Sequence, residues 1–371
     1  MTNKIKIALV FGTRPEAIKM CPLVMRLKKN PLFEVITIVT AQHRQMLDSV
    51  LELFNITPDY DLNLMKPNQN LWDLSSEILL KTKEVYEKEN PDLILVHGDT
   101  TTAGLSALSA FYARKKTGHV EAGLRTFDKN YPFPEEINRV IVDSVSDLMF
   151  CPTELAVNNL KNSGIKNGIF KTGNTVIDAL LYVIENKKIN LDFLGLDKNL
   201  KTILLTSHRR ENFGKPLENI CYAVKELVEK NKDIQVIYPV HLNPNVRNTV
   251  YPILENIDRV KLTEPLDYVP FCNLMKEAHI ILTDSGGVQE EAPALGKPVL
   301  VLREETERPE AVEYGGVKLA GTNKENIISM VQTLLDNEEE YKKMSMAINP
   351  YGDGRASEYI ENIILDYFNL K

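Results

Sequence analysis

The chain has few of the features that mark membrane proteins, disulfide-linked proteins and metalloproteins. Its four cysteines lie far apart, with no spacing typical of metal ligands or redox pairs. We expect them to be small buried hydrophobic residues in a reducing compartment. No apolar run reaches the roughly 18–20 residues that a membrane span needs, and no signal-peptide pattern precedes the strand-like residues that begin at Lys4. Together these absences predict a cytoplasmic protein that does not bind membranes.

An excess of positive charge is also missing. The 44 basic and 51 acidic side chains give a net charge of −7, so the electrostatic footprint of a nucleic-acid-binding protein is absent. An anionic small ligand is still allowed, because a cleft can be locally positive on an acidic protein. Hydrophobic residues make up 43% of the 371 residues, which is ordinary globular composition and a length that suits two domains.

Short β-rich runs alternate with helical patterns, first in one half of the chain and then in the other. Strands separated by helices predict parallel βαβ units with right-handed crossovers. The expected fold class is therefore α/β, with two Rossmann-like doubly wound domains that face a central ligand cleft. We predict strands at residues 5–12, 33–40, 92–99, 118–121, 147–151, 169–172, 202–206, 234–240, 260–263, 279–283 and 298–302.

The change from the first α/β series to the second falls between residues 173 and 201. A helical run and a polar stretch in this window would connect the domains. We predict an N-terminal domain of residues 1–175 and a C-terminal domain of residues 176–355. The last helix, within residues 356–371, is expected to pack back onto the first domain.

The first strand ends at a helix start that suits an anion. Gly12 closes the strand, and Thr13 and Glu16 have the spacing of a capping box. Arg14 lies in the first helical turn, and Lys19 follows about a turn and a half later. Backbone N–H groups at a helix N-terminus already favour negative charge, so two added cations predict an anion site. Solvated surface charges are the alternative.

A second candidate anion site lies in the segment 283–291. The segment runs from a strand end through Gly286 and Gly287 into a helix predicted over residues 288–295, which lets backbone amides approach a phosphate closely. Ser285 adds a hydroxyl donor, and Glu291 can accept hydrogen bonds from sugar hydroxyls. A purely structural turn is the alternative. Neither glycine site matches GxGxxG, which argues against a bound nicotinamide cofactor.

Acidic residues collect at the strand ends of the first half. Asp99 and Glu121 each end a predicted strand, and Glu135 begins a helix. Carboxylates held in a cleft can differ in pKa, so that one acts as a base while another acts as an acid. Structural alternatives compete with this interpretation: Asp99 as the N-cap of the next helix, and Glu135 as a helix-dipole partner or as an ion pair with Arg139.

One histidine stands out among six. His208 follows the first strand of the second half and neighbours two arginines, which favours anion contact or proton transfer. His119 is expected to be a core residue. No set of His, Asp and Glu residues has zinc spacing, so we predict no metal site. The acidic pair in segment 59–61 is interpreted as a solvated turn.

Taken together, these motifs resemble those of the non-hydrolysing UDP-N-acetylglucosamine 2-epimerases. The resemblance implies the fold of the B-type glycosyltransferases and a homodimer. It also implies reversible conversion of UDP-N-acetylglucosamine (UDP-GlcNAc) to UDP-N-acetylmannosamine (UDP-ManNAc) without NAD or an essential metal, often for polysaccharide synthesis. The similarity covers roughly residues 5–325 and rests on the segments 11–19, 97–102, 120–125, 134–139, 208–214, 282–298 and 307–311.

The resemblance also implies a mechanism and a set of site residues. UDP leaves C1 as C2 loses its proton, giving 2-acetamidoglucal, and UDP adds back after a proton reaches the opposite face of C2. Two faces need two acid/base groups, and the resemblance assigns Asp99, Glu121 and Glu135 to that set. His208 would assist the departure of UDP, which the second domain binds. The implied substrate contacts are Arg14, Lys19, Asp99, Glu121, Arg139, His208, Leu266, Phe271, Ser285, Gly286, Gly287, Glu291 and Arg308.

Two positions depart from the family pattern. Leu266 stands where some bacterial members have a glutamine that contacts the base. Asn68 occupies the position of an arginine in the regulatory UDP-GlcNAc site of bacterial members, so allosteric activation by the substrate stays open. The other residues that match this regulatory site are Gln42, His43, Gln45 and His241.

Three other functions remain open. A hydrolysing 2-epimerase would release free N-acetylmannosamine (ManNAc) and UDP. A B-type glycosyltransferase would need an acceptor, and the cluster of acids disfavours it because such enzymes typically need one base. The third alternative is a nucleotide-binding sensor without turnover.

Overall fold

Contacts divide the chain into two compact units. The computed structural model describes residues 4–41, 44–64, 66 and 69–370, with residues 44 and 45 described by their backbone alone. Unit 1 comprises Met1–Ala179 and Gly352–Lys371, and unit 2 comprises Leu180–Tyr351.

Unit 1 contains a parallel seven-stranded sheet in the order β3-β2-β1-β4-β5-β6-β7. Its strands are β1 (Ile5–Phe11), β2 (Phe33–Val39), β3 (Tyr60–Asp61), β4 (Leu93–His97), β5 (Lys116–Val120), β6 (Leu148–Cys151) and β7 (Ile169–Lys171). The helices between and after them are α1 (Arg14–Lys29), α2 (Arg44–Leu53), α3 (Leu71–Glu89), α4 (Thr101–Tyr112), α5 (Glu135–Val145) and α6 (Glu154–Asn162). The next helix, α7 (Thr175–Asn186), begins in unit 1 and ends in unit 2.

Unit 2 contains a parallel six-stranded sheet in the order β10-β9-β8-β11-β12-β13. Its strands are β8 (Lys201–Thr206), β9 (Ile234–Pro239), β10 (Val260–Thr263), β11 (Ile280–Thr283), β12 (Val299–Val301) and β13 (Val317–Leu319). Its helices are α8 (Lys215–Lys230), α9 (Pro244–Leu254), α10 (Tyr268–Glu277), α11 (Gly286–Glu291), α12 (Pro309–Glu313), α13 (Lys324–Asp336) and α14 (Glu338–Ser345).

The predicted doubly wound parallel architecture is confirmed in each unit. In both sheets the strand order reverses beside the first strand, between β1 and β4 in unit 1 and between β8 and β11 in unit 2. Ligands of such sheets bind beyond the carboxyl ends of the strands at this switch point. A ligand-binding site is therefore expected at the loops that follow β1, β4, β8 and β11.

The central strands are apolar because helices cover both of their faces. Residues 7–11 of β1 are at most 1% exposed, and Leu93–Val96 of β4 are completely buried. A strand covered on both sides buries every side chain, so it becomes a continuous apolar run instead of an alternating one. In unit 2 the same rule gives a core in which β8, β9 and β11 pack against α8.

The C-terminal helix α15 (Ala356–Tyr367) belongs to unit 1 and is fixed there by two carboxylates. Asp178 of α7 accepts the first two backbone N–H groups of α15, at 3.1 and 2.8 Å, and so caps the helix. Glu361 of α15 forms an ion pair with Arg26 and accepts a hydrogen bond from Asn30 at 2.8 Å. The end of the chain is thus tied to α1 and α7.

Segment 59–61 corrects one prediction. It was expected to be a solvated turn, but Tyr60 and Asp61 form the edge strand β3, which pairs with β2. The carboxylate of Asp59 accepts the backbone N–H of Thr37 at 2.7 Å, and the hydroxyl of Tyr60 donates to Glu89 at 2.5 Å. The carboxylate of Asp59 thus supports the edge of the sheet.

Two further elements differ from the sequence prediction. The short strand β13 was not predicted, because three residues give too little periodicity to detect. A helix was predicted over residues 288–295, but α11 ends at Glu291 and a 3₁₀ turn, Ala292–Leu295, follows it. Pro293 explains the change, since proline lacks the N–H that a continuing α-helix needs.

Several kinds of feature are absent from the described part of the chain. None of its helices is both long and apolar enough to cross a bilayer. None of its groups of His, Cys, Asp and Glu side chains is arranged to hold a metal ion. The four cysteines are free and buried, and burial raises the pKa of the Cys221 thiol to about 12, so it is unreactive near neutral pH.

Candidate functional site

One buried carboxylate joins the two loops at the switch point of unit 1. Glu16 is 2% exposed. Its Oε2 accepts the backbone N–H groups of residues 12 and 13 at 3.0 and 2.7 Å, and its Oε1 accepts the hydroxyl of Thr100 at 2.6 Å. The predicted capping box is confirmed. It also fixes the loop that carries Arg14 relative to the loop that carries Asp99.

Asp99 is held by an arginine and does not cap a helix. Arg139 donates from Nε and Nη2 to Oδ2 of Asp99 at 3.1 and 2.7 Å, and from Nη1 to Glu136 at 3.0 Å. The N-cap of α4 is Thr100, whose hydroxyl accepts a backbone N–H of the first turn at 3.0 Å. The alternative of Asp99 as N-cap is therefore wrong. Among the described residues, Arg139 pairs with Asp99 and Glu136, so the alternative of an ion pair between Glu135 and Arg139 is wrong too.

Glu121 occupies a strained backbone position inside a polar cage. Its φ of +67° lies in the left-handed region, where residues other than glycine store strain that often marks a functional site. Lys19 forms an ion pair with the carboxylate, and Asn174 donates to Oε1 at 2.9 Å. Nε2 of His97 lies 3.7 Å from Oε2. Burial lowers the pKa of His97 to about 3, so this ring is neutral near pH 7.

The pairing of Lys19 changes the predicted anion site. Arg14 and Lys19 both follow β1, as the sequence indicates. Lys19, however, balances the charge of Glu121, so its cation supports a candidate acid/base group. Arg14 is half-buried in the first turn of α1.

A buried ionic network supports the Asp99 loop from the interior of unit 1. His119 is fully buried, as predicted. Its Nδ1 lies 2.5 Å from Oδ1 of Asp143, and its Nε2 lies 2.8 Å from the carbonyl oxygen of Gly98. Arg125 donates to the other oxygen of Asp143 at 2.5 Å. Burial opposes ionisation of Asp143, but the charges of His119 and Arg125 outweigh it and lower the pKa of this carboxyl group.

Two adjacent glutamates at the start of α5 have different environments. Glu136 accepts the backbone N–H groups of Thr126 and Phe127, both at 3.0 Å, and so anchors the preceding loop. Burial opposes its ionisation, yet these bonds and Arg139 lower the pKa of Glu136. Oε2 of Glu135 is buried and makes no hydrogen bond to any described residue. Glu136 thus has a structural role, whereas Glu135, in the same first turn of α5, keeps a buried oxygen without a described hydrogen-bond donor.

In unit 2, two guanidinium groups flank the glycine turn that follows β11. A Cβ atom added at Gly286 would lie 3.7 Å from Nη2 of Arg209 and 4.0 Å from Nη2 of Arg308. Arg308 is anchored by an ion pair with the buried Glu290. Ser285 is the N-cap of α11, and its hydroxyl makes no capping bond within the described residues. Two cations around an open backbone amide suit a phosphate.

Glu291 is oriented by a tyrosine that the sequence analysis missed. The hydroxyl of Tyr268 donates to Oε1 of Glu291 at 2.9 Å. Burial raises the pKa of Tyr268 well above its ordinary value, and the adjacent Glu291 adds to this, so the phenol stays a donor. Oε2 lies 3.8 Å from the Cβ position of Gly287, beside the glycine turn. Leu266 just before α10 and Phe271 within it are half-buried.

His208 projects from the loop after β8. Its side chain is 42% exposed, and its ring stacks on His241 with centroids 5.4 Å apart. Nδ1 lies 3.4 Å from Oδ1 of Asp284, at the end of β11. Partial burial lowers the pKa of His208; Asp284 opposes this shift, whereas His241 and Arg209 add to it.

The predicted regulatory residues fall largely outside the description. Gln42, His43 and Asn68 lie outside the described residues, and of Gln45 only the backbone is described. His241, which is described, belongs to unit 2 and contacts His208.

Proteins of known family share the sequence and fold of this chain. The model of the UDP-N-acetylglucosamine 2-epimerase family matches residues 25–365. The UDP-N-acetylglucosamine 2-epimerase of Bacillus subtilis is 53% identical over 372 residues, which cover 100% of this chain and 97% of that protein. The chain belongs to the UDP-N-acetylglucosamine 2-epimerase family. The resemblance inferred from the motifs is confirmed.

Solved structures of this epimerase family agree with the fold. The Neisseria meningitidis UDP-GlcNAc 2-epimerase bound to UDP-GlcNAc is 48% identical, with a TM-score of 0.87 over 98% of this chain and 100% of that chain. The Methanocaldococcus jannaschii UDP-GlcNAc 2-epimerase in complex with UDP-GlcNAc and UDP is 36% identical, with a TM-score of 0.76 over 97% and 99% of the two chains.

Sequence reasoning missed several polar residues that hold the candidate groups in place, among them Asp143, Tyr268 and Asp284. Asp143 and Tyr268 lie on helices, where a single polar residue is ordinary. Asp284 had one usable signal, since a carboxylate directly after a buried strand in a doubly wound sheet lies near the switch point.

Proposed function

We propose that the chain interconverts UDP-GlcNAc and UDP-ManNAc at C2 without releasing free sugar. One observation carries the proposal: Asp99 and Glu121 follow strand ends of unit 1, Glu135 begins α5, and the three carboxylates have different electrostatic environments. Inversion at C2 needs a proton to leave one face and another to arrive at the opposite face. Membership of the epimerase family supports the same substrate.

The proposed reaction is an elimination followed by an addition. A carboxylate takes the C2 proton, the C2–H electron pair forms the C1=C2 double bond, and the C1–O bond breaks toward UDP. This gives 2-acetamidoglucal and UDP. In the second step an acid delivers a proton to the opposite face of C2, and a UDP oxygen adds to C1. No electrons are gained or lost overall, so the route needs no redox cofactor.

The three carboxylates are suited to different parts of this cycle. Asp99 accepts hydrogen bonds from Arg139, and Glu121 forms an ion pair with Lys19, so a cation holds each of these two carboxylates in place. Glu135 has a buried oxygen without a described donor, a position that favours exchange of a proton with a ligand. We therefore assign acid/base chemistry to residues 1–175 together with the helix at 356–371.

Unit 2 is proposed to bind UDP. Arg308 would pair with the diphosphate beside Ser285, Gly286 and Gly287, and Glu291 would accept hydrogen bonds from the ribose. His208 would stabilise the negative charge of the departing UDP. The remaining substrate contacts in this proposal are Arg14, Lys19, Asp99, Glu121 and Arg139 toward the sugar and diphosphate, and Leu266 and Phe271 toward the base.

Incubation with UDP-GlcNAc in deuterated water tests this function. We expect UDP-GlcNAc and UDP-ManNAc in equilibrium, both with deuterium at C2, because every passage through the glycal replaces the C2 hydrogen with one from an acid that exchanges with solvent. Proton NMR and mass spectrometry of the nucleotide sugars measure both outcomes. A sample of heat-denatured protein serves as the control.

Other products of the same incubation would identify the alternatives. Free ManNAc with UDP indicates a hydrolysing 2-epimerase, and a glycoside with UDP after addition of an acceptor indicates a glycosyltransferase. Unexchanged UDP-GlcNAc without UDP-ManNAc contradicts an epimerase and leaves a nucleotide sensor. The cytoplasmic location and activation by a second UDP-GlcNAc molecule stay predictions.

We also propose that the protein is a homodimer formed through the outer faces of α3 and α4. Leu80, Phe111 and Tyr112 are 61%, 57% and 68% exposed, and a groove of about 460 Å³ lies between the two helices. Clustered exposed apolar side chains mark interaction surfaces, and identical chains usually pair through one shared patch.

Sedimentation analysis checks this prediction. We expect a species of twice the 42.1 kDa chain mass at micromolar concentration. Leu80→Glu should shift it toward the monomer, because a charge would be buried in the interface. Leu155→Glu, a change at a 42% exposed leucine of α6, should leave the dimer intact. A monomeric wild-type protein would rule out the dimer.

A further inference from the structure

A buried aspartate organises the loop that carries His208. Asp284 is 0% exposed. Its Oδ2 accepts four hydrogen bonds, from the backbone N–H groups of His208 and Arg209 at 2.8 and 2.9 Å, from the hydroxyl of Ser207 at 2.9 Å and from the side-chain amide of Asn212 at 3.0 Å. The path of the loop after β8 is thus set by one carboxylate oxygen.

The second oxygen of Asp284 is unusual. Oδ1 is buried and makes no hydrogen bond to any described residue. A buried acceptor without a donor costs free energy, so such an atom calls for an explanation. The nearest ring nitrogen is Nδ1 of His208, at 3.4 Å. A small rotation of the ring would bring an Nδ1–H group into a charge-assisted hydrogen bond with Oδ1.

The surrounding frame keeps this geometry rigid. Tyr238 is fully buried, and its hydroxyl donates to the backbone carbonyl of Ser207 at 2.7 Å. Asn212 also donates to the carbonyl of Leu302 at 3.1 Å, which ties the loop to the end of β12. The carboxylate itself follows β11, which pairs with β8. The loop and the carboxylate therefore have little freedom to move apart.

We propose that Asp284 is a positioning residue for His208: it keeps the proton of the neutral ring on Nδ1 and stabilises the imidazolium form. Nε2 is then directed away from Asp284. In the imidazolium it carries the second proton, which faces the ligand. This inference rests on the proposed function in one respect only, namely that the ligand facing Nε2 is the diphosphate of the departing UDP.

The charged neighbours of His208 give Asp284 a distinct electrostatic effect. Burial lowers the pKa of His208, Asp284 raises it, and the facing His241 and Arg209 lower it further. Asp284 is the anion of this set. Removing its charge while keeping its shape must therefore lower the pKa of His208 below the wild-type value.

Asp284→Asn provides the test, read by NMR on protein labelled with ¹⁵N-histidine. Six histidines give six pairs of ring nitrogen signals, and His208→Gln identifies the pair that belongs to His208. In the wild-type protein we expect neutral His208 to carry its proton on Nδ1. In Asp284→Asn the amide nitrogen would replace Oδ1 and donate to Nδ1, so the proton should move to Nε2. The titration midpoint should fall by about one pH unit.

Turnover gives the second readout. We expect Asp284→Asn to lower kcat by about 10- to 100-fold with little change in KM, since proton placement matters most in the transition state. Asp258→Asn, the same change at a 92% exposed aspartate of unit 2, should leave the titration and the rate as in the wild type. An unaltered titration of His208 in folded Asp284→Asn overturns the proposal.

The wild-type tautomer decides the question even if Asp284→Asn fails to fold. Neutral His208 with its proton on Nε2 overturns the positioning role, whereas a proton on Nδ1 supports it. Neither result depends on turnover. If neutral His208 carries its proton on Nδ1 but the protein never forms UDP-ManNAc, the positioning role of Asp284 is supported and the proposed function is contradicted. If the protein is an active epimerase but neutral His208 carries its proton on Nε2, the proposed function is supported and the positioning role of Asp284 is contradicted.

Discussion

Asp99→Asn is expected to lower kcat for UDP-ManNAc formation by about 10²–10⁴-fold. An amide has the shape of a carboxyl group but cannot take up the C2 proton. Its oxygen can still accept the two hydrogen bonds that Arg139 donates to Oδ2 at 3.1 and 2.7 Å, so substrate contacts should persist. Initial rates from proton NMR measure the loss, and circular dichroism checks the fold.

A matched control separates chemistry from a general effect of the substitution. Asp73→Asn makes the same change at an exposed aspartate in the first turn of α3, where we expect a normal rate. If Asp99→Asn turns over at a near-normal rate, Asp99 does not belong to the acid/base set. The loss should also appear as lower deuterium incorporation at C2, because the first step would be slowed.

Asp143→Ala is expected to destabilise unit 1 by about 3–5 kcal/mol, because it leaves two buried cationic or hydrogen-bonding partners without their carboxylate. The side chain of Asp143 is 1% exposed, and those of His119 and Arg125 are 0% and 3% exposed, so water does not replace the lost contacts. Hydrogen exchange of the β4 and β5 amides under increasing urea measures the change in the free energy of unfolding.

A surface ion pair gives the contrast. Glu154 and Lys171 lie 3.5 Å apart with side chains 61% and 56% exposed, so Glu154→Ala should change the free energy of unfolding by about 0–1 kcal/mol. Equal changes in the free energy of unfolding for Asp143→Ala and Glu154→Ala would mean that the buried network stabilises unit 1 no more than a surface ion pair does. We also expect slower turnover in Asp143→Ala, since His119 would no longer be held against the carbonyl of Gly98, next to Asp99.

Much of the fold could be predicted because its signals are local. The alternation of apolar runs with helical patterns can be recognised within short stretches of consecutive residues, and it predicted the parallel α/β units. The capping box of Thr13 and Glu16 needs a spacing of three residues, and the structure confirms it. The strands that were missed or misread are those with weak local signals, namely β3 and β13, of two and three residues.

The partners of the candidate site residues could not be predicted in the same way. Lys19 is 102 positions from Glu121, and Ser207 is 77 positions from Asp284, so no local pattern records either contact. Helical spacing favoured a pair between Glu135 and Arg139, but the folded chain offers Arg139 a better geometry with Asp99 and Glu136. Which side chains form an ion pair depends on which loops are adjacent in the folded chain, and the order of the strands in the sheet determines that adjacency.

The features that the sequence lacks limit the classes of protein to which this chain can belong. Few cysteines, no membrane-length apolar run and no excess of positive charge argued against a membrane protein and a nucleic-acid-binding protein, the alternating patterns predicted an α/β fold, and the motifs indicated the epimerase family. These properties depend on composition and on short spacings, which need no folding to be read. The tertiary structure decided how each titratable group is partnered. Protonation follows burial and neighbouring charge, and both arise only when strands distant in sequence become adjacent, as β8 and β11 do to bring Asp284 to His208.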